Sequence, residues 1–377
     1  MFDLIIQNGK LLDPRRGLNE EGDIGICGQT IAGIGNLSGC SAQQYIDATG
    51  CYVTPGFIDF HAHAAYRISD FSMPADVIQL PNGVTSMVDA GSAGAANYEA
   101  FHCYSIVNSI LAIKSFLHVA SVGQLTHKIN ENPDPALFDR ERIAALCQKY
   151  QGEIIGLKLR QSRNIVGELG FKPLEGAVAL GEELGLRLSV HITDSPGKVS
   201  DTLDRLRPGD IFCHMYHQAG NTILDDCGKV RSEIWAARER GVLFELGHGA
   251  FNFSGKIAKA AFSEGFFPDI ISSDLSLLSA YKSPTHSFAY ILSELLNLGM
   301  PLEDIITRCT DIPAAMMGIN HDGFLKEGRP ADIAVFKLIE KPVSYLDRYG
   351  NHYTGDRLLQ PQVTVKNGMV VFRQVTI

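Results

Sequence analysis

The sequence predicts an α/β protein: a barrel of eight parallel strands ringed by helices, joined to a small β-sandwich assembled from both chain ends. Three observations predict it. The middle of the chain alternates short apolar runs with longer helical patterns such as Ser200 to Leu206 and Ser287 to Leu298, the alternation expected of βαβ units and a parallel sheet. The first and last stretches read instead as short strands punctuated by turn residues. Eight candidate strands fit between them, the strand count of a (β/α)8, or TIM, barrel.

At the start, Asp3 to Gln7, Gly22 to Ile26 and Thr30 to Gly35 are apolar or alternating runs divided by Asn8-Gly9, Asp13-Pro14 and Gly28. At the end, Ala331 to Lys337 and Gln362 to Phe372 have the same texture, with Asn367-Gly368 as a hairpin signal. The expected barrel strands are Gly56–His63, Val84–Gly91, Phe116–Gly123, Glu153–Arg160, Leu186–Ile192, Asp210–Tyr216, Val242–Gly247 and Pro268–Leu275. Residues 55–319 would then form the barrel, and 1–54 with 320–377 the composite sandwich.

Composition narrows the function. A chain of 377 residues, 45% hydrophobic and 20% charged, has the balance of a globular protein with a large core. A net charge of -9 argues against a nucleic-acid partner but not against a small anionic substrate, since one local Arg can outweigh the global charge. No apolar run approaches the roughly 18 residues of a membrane span. Met1-Phe2-Asp3-Leu4-Ile5-Ile6 lacks a basic leader pattern. The 8 cysteines include no CxxC pair and read as reduced thiols. The expectation is a cytoplasmic enzyme with a small-molecule substrate and no membrane or nucleic-acid partner, with homo-oligomerisation left open.

Alternation along barrel strands places the polar residues. If Leu157 and Leu159 face the helices with Ile155, then Lys158 points inward. Leu186, Leu188 and Val190 outward put His191 inside; Ile211, Cys213 and Met215 outward put His214 inside; Ile271, Ser273 and Leu275 outward put Asp274 inside. Ile58, Phe60 and Ala62 outward leave His61 and His63 inside. All six lie near the C-terminal ends of their strands, where such barrels keep their active sites. Six inward polar groups are costly unless something satisfies them, and four imidazoles with a carboxylate suit zinc or a similar divalent ion. An ammonium beside two dications would be repelled. A neutral Lys158 amine can instead add carbon dioxide and become a carbamate anion able to bridge both metals.

Blander readings compete with these. His191 and His214 can be satisfied core histidines, His217 is a rival to His214, Lys158 can snorkel, and Asp274 can cap a helix. Arg160, also inward, can clamp a substrate carboxylate or pair with Glu245. His248 reads as a loop residue lining the pocket. Asp59 suits either a role orienting a metal ligand or plain structural pairing.

Thr54-Pro55-Gly56-Phe57-Ile58-Asp59-Phe60-His61-Ala62-His63 resembles the opening signature of the amidohydrolase superfamily. Pro313-Ala314-Ala315 and the stretch from Gly323 to Phe336 are similar to its closing signature. The resemblance covers essentially the whole chain. It implies that His61, His63 and Asp274 bind one metal, that His191 and His214 bind the second, and that carboxylated Lys158 bridges them, the dihydroorotase-like binuclear arrangement. Gly156-Leu157-Lys158-Leu159-Arg160 and Gly247-His248-Gly249 further resemble the amidohydrolase/deacetylase branch. The implied enzyme is a deacylase or deacetylase using two divalent ions, Zn2+ being the expected metal, with Asp274 as general base. It would act on an amide or ester of a small carboxylate-bearing acylated amino or hydroxy acid, with Arg160 and His248 toward the substrate. The alternatives are a cyclic amidohydrolase, a nucleobase deaminase and, last, a metal-free scaffold. Mononuclear deaminases of the superfamily usually carry Glu three residues after the strand-five His and lack the strand-four Lys; this chain has Asp194 and Lys158 there.

Overall fold

A computed structural model describes residues 1–249, 251–281, 287–319 and 323–375; the expected boundary at residue 320 lies outside them. Both chain ends join one eight-stranded sheet. Its strands are β1 (Phe2–Asp13), β2 (Leu18–Cys27), β3 (Thr30–Gly35), β4 (Ala42–Asp47) and β5 (Tyr52–Pro55) from the start, and β13 (Ile333–Leu346), β14 (His352–Lys366) and β15 (Met369–Arg373) from the end. The order is β15-β14-β13-β5-β1-β2-β3, with β4 also on β1. Asn367-Gly368 is the β14–β15 turn, both residues at positive φ, as a two-residue hairpin requires. Asn8-Gly9, which reads as a turn, is instead a bulge inside β1: Asn8 sits at φ 59 and the register shifts between Ile6 and Gly9. β1 pairs with β4 mainly before the bulge and with β5 after it. The sheet has its own core, including Leu4, Ile24, Val53, Ile333 and Val363.

The middle of the chain forms a parallel sheet of β6 (Phe57–Ala62), β7 (Val84–Gly94), β8 (Ala112–His118), β9 (Ile154–Arg160), β10 (Arg187–His191), β11 (Ile211–Cys213) and β12 (Leu243–Glu245), paired in sequence order. The third strand begins before the expected Phe116, because Ile113 is already buried. It ends at His118, and the chain beyond it is loop. Pro268–Leu275 does not form a continuous strand. Its backbone nevertheless bonds to both sheet edges: Leu246 N donates to Ile270 O at 2.9 Å, and Asp274 N to His61 O at 2.6 Å. Asp274 at φ 52 interrupts the extended conformation there.

Helices cover the outer face. Lys172–Leu184 starts with Pro173 and stops at Gly185, at φ 63, and buries Leu174, Ala177 and Leu180 along one stripe. Ser287 caps Phe288–Asn297 by accepting from Tyr290 N at 3.2 Å. No helix among the described residues is long and apolar enough to cross a membrane.

Simple alternation fails in three strands, on β9 because Ile155 packs against the same interior side chains as Phe116 and Ile211 and not with Leu157 and Leu159. Ile58 and Phe60 join Phe116, Ile211 and Cys213 in a cluster separate from the helix-facing core, so they do not face the helices as expected. Phe60 meets Phe116 across the intervening β7, with ring centroids 5.9 Å apart. The register slips between Asp59 and Ala62, which lets Phe60 and His61 both point inward. On β11, Cys213 points inward as well, because His214 at φ 64 resets the alternation.

Asp59 fastens the irregular stretch 270–275 to β6. It is fully buried and accepts from Gln79 Nε2 at 2.6 Å, from Ser273 N at 2.9 Å and from the Ser273 hydroxyl. Burial raises its carboxyl to about 6 against the pull of those donors. Asp59→Ala should leave several buried donors unpaired and cost about 2–4 kcal/mol. Denaturant unfolding measures this; a loss under about 1 kcal/mol would show that Asp59 does not fasten this edge.

Candidate metal centre

At the C-terminal ends of these strands, four imidazoles are each held at one ring nitrogen. His61 Nδ1 lies 3.0 Å from Glu245 Oε1. A carboxylate only accepts, so the proton is on Nδ1 and the Nε2 lone pair is free for the site. Ser92 Oγ donates to Asp89 Oδ2 at 2.7 Å and therefore accepts from His63 Nδ1 at 2.8 Å. His214 Nδ1 donates to Gly247 O at 2.7 Å. His191 is held by the opposite nitrogen, its Nε2 lying 3.0 Å from Thr193 Oγ1, so Nδ1 is the nitrogen on the side away from that contact. Its ring centroid is 4.4 Å from that of His214.

The free nitrogens converge. His61 Nε2 and His63 Nε2 lie 3.4 and 3.2 Å from the same oxygen, Asp274 Oδ1. Three acceptors facing one another repel unless a cation lies among them. Metal bonds of about 2.0–2.1 Å would space tetrahedral ligands at about these separations. His214 Nε2 is buried with no hydrogen-bond partner among the described residues, a costly state that a cation would relieve. Burial lowers His214 to about 3 and, with His214 and Arg160 nearby, takes His191 well below its ordinary value; both are neutral and able to ligate at pH 7. The donor set fits a divalent cation.

Lys158 is 1% exposed. Its Nζ donates to Ser189 Oγ at 3.2 Å and to Cys213 Sγ at 3.6 Å, and it joins no ion pair among the described residues. Gly91 makes the space: at φ 84, its added Cβ would lie 2.5 Å from Lys158 Cβ. His61, His63, Lys158, His191 and Asp274 border a cavity of about 250 Å3 together with Arg160.

The sequence matches the amidohydrolase family over residues 52–371. The chain belongs to the amidohydrolase family. That makes it a hydrolase acting on carbon–nitrogen bonds. It is 32% identical over 342 residues to Deacetylase Atu3266 of Agrobacterium fabrum, covering 89% of this chain and 83% of the relative. It resembles a crystal structure of a dihydroorotase with a TM-score of 0.90 and 31% identity, covering 97% of each chain. A crystal structure of an adenine deaminase also gives a TM-score of 0.90, at 27% identity, covering 99% of this chain and 100% of that one.

Of the other residues singled out in this amidohydrolase, His248 and the partner of Arg160 differ from expectation. Arg160 borders the cavity, but its Nε and Nη2 bind Glu131 side-on, with Nε to Oε1 at 2.7 Å, and not Glu245. Glu245 instead holds His61 and accepts from Ser272 Oγ at 2.6 Å and Cys213 Sγ at 2.7 Å. Burial would raise its carboxyl, but His61 and Lys158 keep it at about 2. His248 is not among the cavity residues; it is buried, with Nε2 2.6 Å from Glu294 Oε2. His217 is also buried and outside the cavity. Asp194 faces Arg163, 3.6 Å away.

Sequence reasoning missed Ser92, Asp89, Glu131, Gln124, His127 and Asn252. Gln124 and His127 line the cavity from the loop after β8, and Asn252 donates to Asp274 Oδ2 at 2.8 Å. Glu131, Gln124, His127 and Asn252 gave only the polar, turn-rich texture of their loops as a signal, while Asp89 and Ser92 lie within β7.

Gly91→Ala should push Lys158 out of place and cut metal content and turnover roughly 10–100-fold, the usual effect of disturbing ligand support. Gly17→Ala, also left-handed at φ 64 but with open space around it, controls for backbone strain. Equal effects of the two on metal content would show that the Lys158 contact is immaterial.

Proposed function

We propose that the protein is a binuclear metal-dependent deacylase, with a deacetylase-like activity on an amide or ester of a small carboxylate-bearing acylated amino or hydroxy acid. The observation that carries this reading is the convergence of His61, His63, His191, Lys158 and Asp274 on one cavity, with the His214 ring packed against those of His61 and His191. His61, His63 and Asp274 would hold one divalent ion, taken as Zn2+, and His191 and His214 the other. Lys158, carboxylated at Nζ by carbon dioxide, would bridge them. A buried lysine whose Nζ forms no ion pair among the described residues, only bonds to Ser189 and Cys213, supports that modification. In the same reading, residues 270–275 close a (β/α)8 barrel over 55–319, and 1–54 with 320–377 form a sandwich. The protein would work in the cytoplasm on a small molecule, without nucleic-acid or membrane partners.

When bound, the ions would supply Lewis acidity toward the scissile carbonyl and acidify water. The remaining chemistry belongs to the chain. Asp274 Oδ1 faces the two histidine nitrogens, so Oδ2, held by Asn252, takes the proton from the attacking water. It returns that proton to the leaving amine or alkoxide. Ionised Asp274 is in the correct state to accept it. Arg160 keeps Nη1 without a hydrogen bond among the described residues, and that edge can meet a substrate carboxylate while Glu131 steadies the other.

Cyclic-amide hydrolysis is the second reading, favoured by the likeness to a dihydroorotase structure. The deaminase reading is weakened by Asp194, which pairs with Arg163 outside the cavity. A hydrolysis screen of acylated amino and hydroxy acids of both chiralities against cyclic amides separates these readings. Turnover confined to cyclic amides would overturn the first.

Elemental analysis should find close to two metal equivalents per chain. Lys158→Ala should lose metal and activity, with partial rescue by a small carboxylate plus added metal; an unmodified ammonium in a metal-loaded crystal would overturn the carbamate. Asp274→Asn should lower kcat by about 10²–10⁴-fold, the usual worth of general acid–base catalysis. Near wild-type turnover in that variant would place the base elsewhere.

A further inference from the structure

The loop after β12 touches two proposed metal ligands through the backbone of two glycines, besides the Asn252 side chain on Asp274. Gly247 O accepts from His214 Nδ1 at 2.7 Å. Gly249 backs onto Asp274: its added Cβ would lie 2.4 Å from Oδ2. Between the two glycines, the His248 side chain enters a buried pocket outside the cavity. Its ring stacks on Phe253 at 4.3 Å, and its Nε2 lies 2.6 Å from Glu294 Oε2. Glu294, on the helix Phe288–Asn297, accepts at Oε1 from the Tyr353 hydroxyl on β14. His248 and Glu294 are each about 1% exposed.

We infer that Tyr353, Glu294 and His248 are positioning residues: a buried relay by which the terminal sheet sets the loop that orients His214 and Asp274. A loop of two glycines with positive φ has little rigidity of its own, so its conformation must come from its partners. The hydrogen bond of His248 to a buried carboxylate is of the strong, charge-assisted kind. The terminal sheet therefore has a part in the metal centre that no cavity residue reveals. This inference rests on the proposed metal site for its metal readout, but not for its hydrogen-bond readout.

The test uses the full chain. His248→Phe combined with Glu294→Gln keeps the ring stack, removes the buried charge and cuts the relay, while the introduced amide can still bond Tyr353. Glu294→Gln alone preserves a hydrogen bond to His248 and serves as the conservative rescue. Two quantities are read. One is the slowly exchanging Nδ1 proton of His214 in 15N-histidine spectra. The other is zinc affinity by competition with a chelator. The double variant should lose the protected proton and bind zinc roughly 10–100-fold more weakly, with kcat falling and KM little changed, while Glu294→Gln stays near wild type. Tyr353→Phe, which removes one hydroxyl, should move the same readouts several-fold and decides the matter if the double variant fails to fold. A protected His214 proton and unchanged zinc affinity in whichever of these variants folds would overturn the relay. A wild-type protein that binds no zinc, with the proton still responding as expected, would overturn the metal proposal and leave the relay standing.

Discussion

The arrangement depends on one electrostatic constraint: acceptor atoms brought together inside a protein must share a cation or be driven apart. His61 Nε2 and His63 Nε2 lie 3.4 and 3.2 Å from Asp274 Oδ1, and each group is held there from behind. Glu245 fixes His61, the Asp89–Ser92 pair fixes His63, and Asn252 fixes Asp274. A flexible site would relax such repulsion by turning a ring. Here every imidazole has one nitrogen committed, so rotation would break a buried hydrogen bond and leave its partner unpaired. The cost of assembling the cluster is therefore met by the fold, before any ligand arrives.

The fold meets that cost through departures from regular geometry. A register slip in β6 lets Phe60 fill the interior while His61 also points inward. His214 and Asp274 occupy positive φ, a conformation that side chains adopt only when their surroundings impose it. Asp274 also donates its backbone N–H to His61 O, so the backbone bond that joins the eighth stretch to β6 brings two of the convergent acceptors together. Strain and function coincide because a smooth strand would present one inward residue in every two.

Arg160 shows how tertiary structure changes what a residue offers. Alone, an inward guanidinium is a strong carboxylate receptor. Paired side-on with Glu131 from a distant loop, it keeps orientation but loses much of its net charge. Burial would raise Glu131, yet Arg160 and His118 hold its carboxyl well below the usual range, which keeps the pair ionised. The site is thus less cationic than its inward residues imply, and loop residues such as Gln124 and His127 share its lining.

The sequence by itself determined the class of fold, the sheet shared by both termini and the six polar residues that gather at the strand ends. These follow from short-range facts: period-two alternation, turn residues, and His, Lys and Asp in otherwise apolar strands. It also carried the amidohydrolase resemblance, because the His61-Ala62-His63 signature is contiguous. Only the tertiary structure decided the rest. Parity at Phe60 and Cys213 was reset by a register slip and a positive φ that no alternation rule contains. The partners of Arg160 and His248 come from Glu131 and Glu294, 29 and 46 residues away in sequence, on a loop and a helix whose approach depends on how the elements pack. Which nitrogen each histidine offers was decided the same way, since a tautomer is set by the group behind the ring, and that group lies on another strand or loop except for His191, held by Thr193. Pairing over such separations is a property of packing, and local periodicity carries no information about it.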